Sequence, residues 1–150
     1  MTDSSRRPGG FFLLRPENPA EIGPETVINR ATTPWSYDKL QVELDVFWER
    51  DPLIARDWVI ATVDLERSFQ SAGITGYRLR PVAITLSENY VELDGGPIPD
   101  FVWLDVTGKP RLDDIAWTTG GHLDLIVSPK FLDVLEAGGA SHFDAFLLPD

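Results

Sequence analysis

With 150 residues, 43% of them hydrophobic, and 24 acids set against 13 bases, the chain carries a formal net charge of −11. The apolar content is too high for a disordered polymer, and the length suits one domain with a sizeable core. The absence of cysteine excludes disulfides and thiolate metal centres, and so acidic a surface repels nucleic acid and anionic membranes while suiting a basic partner.

Residues 1–10, MTDSSRRPGG, are small, polar and Gly-rich; they read as a disordered tail ahead of a single α+β domain over 11–150. The apolar run FFLL stops at Arg15, too short for a signal peptide or a membrane span, so a cytoplasmic location is expected. Residues 11–14 fit a short strand, and RPENPAEIGPE, with Pro16, Pro19, Gly23 and Pro24, fits an irregular arm. The stretch TVINRATTPWSYDK is expected to be extended, with a turn near Pro34. Over 40–48, Leu40, Val42, Leu44, Val46 and Trp48 alternate with Gln41, Glu43 and Asp45, the pattern of a half-buried strand. ERDPLIARD reads as a loop or a short helical turn.

Two strand–helix–strand units follow, at about 59–82 and 125–148. In the first, residues 59–61 form a strand and Thr62 is the N-cap. Asp64 and Glu66 occupy the first turn, where the helix dipole favours acids. Leu65, Phe69 and Ala72 share one helical face, and Gly73 ends the helix. In the second, Leu125–Val127 leads to Ser128 as N-cap and Pro129 at the first helical position. Phe131, Val134 and Leu135 make its stripe, Gly138 and Gly139 its stop, and residues 143–148 its closing strand. The units overlay without gaps, Thr62 on Ser128, Phe69 on Leu135 and Gly73 on Gly139. Between them, residues 77–86 read as one extended segment and 87–100 as a central loop with a short strand at 90–93. Phe101–Val106 reads as a strand and TGKPRLDDIAWTTGG as a second long loop. The expected fold is α+β, with a mixed, mainly antiparallel sheet and long Pro/Gly-rich loops.

No catalytic signature stands out. The two histidines, His122 and His142, lack the spacing of a metal motif. EF-hand, Walker and GxGxxG patterns are missing, and DGGPIPD has no lysine with which to cradle phosphate, so no metal or cofactor is expected. Ser128 is a cap and Ser141 part of a turn; His122, after Gly120 and Gly121, is the one imidazole that a flexible turn would present beside loop acids. Asp113 and Asp114 are adjacent carboxylates near Trp117. An aromatic flanked by acids on a loop is either a hot spot for a basic protein or an anchor into the domain's own core. Glu88, Glu92 and Asp94 form a second acidic group, in the central loop.

The C-terminal third carries a resemblance. FVWLDVTG leads to a loop containing DDIAW, then a Gly pair, then LIVSPKFLDVLEAGG and a final aromatic–apolar strand. This resembles the end of a family of bacterial immunity proteins from polymorphic toxin systems, formerly a domain of unknown function, in which a helix of the type LIVSERLKELLE precedes a strand like VEFRPV. SFQSAGITGYRLRPVAI is similar to the middle of the same family, so the resemblance covers residues 58–150. A related myxobacterial branch carries paired CxxC motifs, which this cysteine-free chain lacks. The resemblance implies a protein without enzymatic activity that binds and neutralises a cognate toxin domain in the producing cell. Asp113, Asp114 and Trp117 are the first candidate contacts, with Glu88, Glu92 and Asp94 next. Two alternatives stand beside it: a hydrolase-like enzyme using His122 with Asp113 or Asp114, and a module that self-associates through a sheet edge, giving a homo-oligomer.

Overall fold

Alternating burial along the strands organises the computed structural model, which describes residues 10–16, 20–32, 35–45, 48, 50–119 and 123–149. In chain order the elements are β1 (Phe12–Pro16), β2 (Ala20–Ile22), β3 (Val27–Asn29), β4 (Ser36–Lys39), β5 (Gln41–Leu44), β6 (Leu53–Ala55), β7 (Val59–Thr62) and α1 (Val63–Ala72). They continue with β8 (Tyr77–Arg80), β9 (Ala83–Leu86), α2 (Glu88–Glu92), β10 (Phe101–Val106), β11 (Ile115–Trp117), β12 (Leu125–Val127), α3 (Pro129–Ala137) and β13 (Phe143–Leu147). The fold is α+β with mainly antiparallel pairing.

The two strand–helix–strand units each build a four-stranded antiparallel sheet. The first sheet has the order β6-β7-β10-β8, the second β11-β12-β1-β13. The orders correspond position by position. A short strand pairs with the unit's first strand, the helix crosses over, and the unit's last strand returns two places away with an antiparallel strand inserted between. The inserted strand differs in origin. β10 follows its unit in sequence, whereas β1 arrives from the opposite end of the chain.

Sequence explains the helices directly. Thr62 and Ser128 are both extended, and each hydroxyl accepts the amide three residues on, from Leu65 at 3.2 Å and from Phe131 at 3.0 Å. Gly73, at φ 72°, supplies the left-handed stop of α1. The helices meet through stacked Phe69 and Phe131 rings, centroids 4.7 Å apart, and share one core with Leu14, Val59, Leu104 and Leu125 from the two sheets.

The first sheet is covered on both faces. Leu53, Val59, Ala61 and Leu104 look to the helices, while Ile54, Ile60, Phe101 and Trp103 look to a second core with Val42, Leu44 and Trp48. Strands covered on both faces read as unbroken apolar runs, as β6 and β7 do. The second core is closed by a three-stranded sheet, β2-β5-β9, in which β5 and β9 run parallel, and a β3–β4 hairpin stands apart.

Several expectations need correction. Residues 77–86 are two strands split before Pro81; β8 joins the first sheet and β9 the third. Residues 90–93 form no strand, because the Ser87 hydroxyl accepts the Tyr90 amide at 3.1 Å and starts α2. ERDPLIARD contains β6, the Pro-rich arm contains β2, and the second long loop contains β11; all are three-residue strands created by their partners. Gln41, expected on the exposed face, is buried because its side chain accepts the Glu25 amide at 2.7 Å. Val46, Pro34 and residues 1–9 lie outside the described residues. No helix among the described residues is long and apolar enough to cross a membrane.

Candidate functional site

The six acids and aromatics singled out from sequence fall into two places. Asp113, Asp114 and Trp117 lie between β10 and α3, whereas Glu88, Glu92 and Asp94 lie on and after α2. Glu88, Glu92 and Asp94 are exposed. Asp94 adopts a left-handed φ of 49°, and Arg50 fastens the loop behind it by donating to the carbonyls of Gly95 and Pro97.

Asp113 and Asp114 differ sharply in their duties. Asp113 is half-buried and accepts the Lys109 amide at 2.7 Å, closing its own turn. Asp114 reaches further. Its Oδ1 accepts the Ser128 hydroxyl at 2.7 Å, and its Oδ2 accepts the Thr75 amide at 2.9 Å and hydroxyl at 3.2 Å, with Lys130 Nζ at 3.6 Å. It therefore joins the turn after α1 to the cap of α3. Desolvation pushes its carboxyl upward. The bonds from Ser128 and Thr75 and the charge of Lys130 outweigh it, holding the pKa below the usual 3.8.

Trp117 leads to a feature no local motif announces. It lines a half-open pocket of about 140 Å³ together with Trp35, Tyr37, Asp57, Trp58 and Trp103. Four of the chain's five tryptophans thus converge on one spot. They arrive from four segments: Trp35 and Tyr37 at β4, Asp57 and Trp58 in the β6–β7 turn, Trp103 on β10 and Trp117 at the end of β11. The opening has a structural cause. β10 pairs with β7 only as far as Trp103↔Ile60, while its other edge stays paired with β8 through Val106↔Tyr77.

The polar groups of the pocket are ordered. Tyr37 donates its hydroxyl to Asp57 Oδ2 at 2.7 Å. Burial raises the Tyr37 pKa, and the bond to Asp57 and that residue's charge raise it further, so the phenol stays a donor. Arg80 lies 4.1 Å from the centre of the Trp103 ring, donates to the carbonyls of Tyr37 and Asp38, and shares Asp105 with Arg78. Arg30 lies 4.8 Å from the centre of the Trp35 ring, which is 59% exposed. Trp58 and Trp103 are buried and form the floor of the pocket, and the fifth tryptophan, Trp48, lies in the same core away from it, its indole donating to the Asp51 carbonyl at 2.9 Å.

Ser141, His142 and Asp51 come together in a way the sequence does not foretell. His142 Nδ1 is 3.4 Å from Asp51 Oδ1 and 3.4 Å from Ser141 Oγ. A hydrolytic triad needs the base to face serine with one ring nitrogen and the acid with the other. Here both approach the same nitrogen, and Asp51 Oδ1 also accepts the Ser141 amide, so the cluster ties the turn before β13 to the segment before β6, 90 residues away. His122 lies outside the described residues. No group of three metal-binding side chains occurs among the described residues.

No family model matches the chain, and a search of curated proteins returns no match.

Proposed function

We propose that this chain is an immunity protein, without enzymatic activity, that binds and neutralises a basic toxin domain in the cytoplasm of the cell that makes it. The observation that carries the reading is one half-open pocket where exposed Trp35 and Asp57 and half-buried Tyr37 and Trp117 meet over a floor of buried Trp58 and Trp103. Tryptophan and tyrosine dominate interface hot spots because they bring large apolar area and a polar tip at little conformational cost. The resemblance over residues 58–150 and the net charge of −11 point the same way, since a strongly acidic inhibitor accelerates encounter with a cationic partner.

Co-purification from the native host at moderate salt is the test. The expected result is one partner whose C-terminal domain kills cells unless this chain is co-expressed. A partner that is harmless on its own contradicts the proposal. A second reading, self-association, is favoured by one observation. β13 sits at the edge of the second sheet with Phe146 48% and Leu147 52% exposed. A solution mass that rises to that of a dimer with concentration is its signature.

A further inference from the structure

We infer that the aromatic pocket is the seat for one arginine side chain supplied by the partner protein, an inference that rests on the partner-binding function above.

Size sets the class of occupant. Sites for cofactors and drug-sized ligands enclose roughly 300–1,000 Å³, whereas this pocket encloses about 140 Å³. That is room for a side chain. Charge narrows the choice. Of the two lining carboxylates, Asp105 is already engaged by Arg78 at 2.7 Å and Arg80 at 3.6 Å. Asp57 is exposed and takes one bond, from Tyr37; among the described residues no cation lies within ion-pair distance of it. Its neighbour Arg56 turns away to the Ala20 carbonyl at 3.2 Å.

An apolar side chain entering here would cover Asp57 and strip its water without replacement, which is costly. An anion would meet that same carboxylate. A guanidinium satisfies both features at once, lying flat on an indole while its N–H groups face the carboxylate. The chain already shows the pairing at the pocket's own walls, with Arg30 over Trp35 and Arg80 over Trp103. Half-buried Trp117 has no such cation among the described residues, while Trp58, 3% exposed, forms the floor beneath it. Arg78 and Arg80 share Asp105, which leaves one net positive charge at that wall, so Asp57 is the lining carboxylate that an incoming cation must use.

The test is an indole N–H titration by NMR with a blocked Gly-Arg-Gly peptide, and with the citrulline peptide as its neutral isostere. The five indole signals include a built-in control, since Trp48 is buried and bonded to Asp51. The expected result is saturable movement of the Trp35 and Trp117 signals with Trp48 still. Citrulline, or Asp57→Asn with its Trp48 signal unchanged, should weaken the response about tenfold. Silence at the pocket tryptophans, or an equal response to citrulline, overturns the inference. The two proposals fail separately. A chain that takes the arginine peptide but protects against no toxin loses its proposed function and keeps its pocket. A toxin held equally well by wild type, Asp57→Asn and Trp35→Ala loses the pocket and keeps the function.

Discussion

Asp114 shows how much one side chain can hold. It joins Thr75, 39 residues before it, to Ser128 and Lys130 at the start of α3. Replacing it by alanine should destabilise the protein by about 1–3 kcal/mol at neutral pH, because the hydrogen bonds it breaks go to a charged acceptor. The pH dependence has a definite sign. A carboxyl held below its ordinary 3.8 contributes stability that is complete above that value and is lost as pH falls through the folded pKa. Melting temperatures of wild type and Asp114→Ala should therefore differ at pH 7 and begin to converge once pH falls below the ordinary 3.8. A constant gap would assign the stability to packing. Sequence marks Asp114 as an acid beside Trp117 and nothing more, because each of its partners is brought to it by the fold. The pocket was hidden for the same reason: Trp35, Trp58, Trp103 and Trp117 share no spacing, and only the close of the β10–β7 ladder joins them.

At the scale of elements, what was legible is what is encoded locally. The caps Thr62 and Ser128, the Gly73 stop and the apolar stripes follow from neighbours within one helix. Thr62→Ala and Ser128→Ala should each cost about 1 kcal/mol as caps, with Ser128 losing more through Asp114. Phe69→Ala should cost about 3–5 kcal/mol, since its ring is fully buried against Phe131. Denaturant midpoints measure all three. β2, β6 and β11 were illegible because three residues carry no period and no capped helix follows them, as Ser128 and α3 follow β12; their extended form comes from a paired strand. Gly76 marks where the units lock. It sits at φ +113°, and a Cβ there would strike the Ile115 carbonyl, so Gly76→Ala should destabilise although it adds a single methyl group.

Across the whole molecule, the two units are alike in strand order but unlike in how the inserted strand reaches them. β1 lies between β12 and β13, so the second sheet depends on a strand far away in sequence. Leu14, fully buried on β1, should not tolerate aspartate, and cooperative unfolding of the whole chain should be lost in Leu14→Asp. The net charge acts at this scale too. Association with a basic partner should slow as salt rises, while the rate of dissociation changes little. Binding that is tight and indifferent to salt would show that burial, and not the acidic surface, governs the encounter.

Survival on co-expression is the most direct measurement of the central claim. Cells making the co-purified toxin domain should live when this chain is present at equal dose. Trp35→Ala, at a position 59% exposed and so harmless to folding, should cut that protection sharply at unchanged protein level. Cells that die equally with and without the wild-type chain would contradict the account.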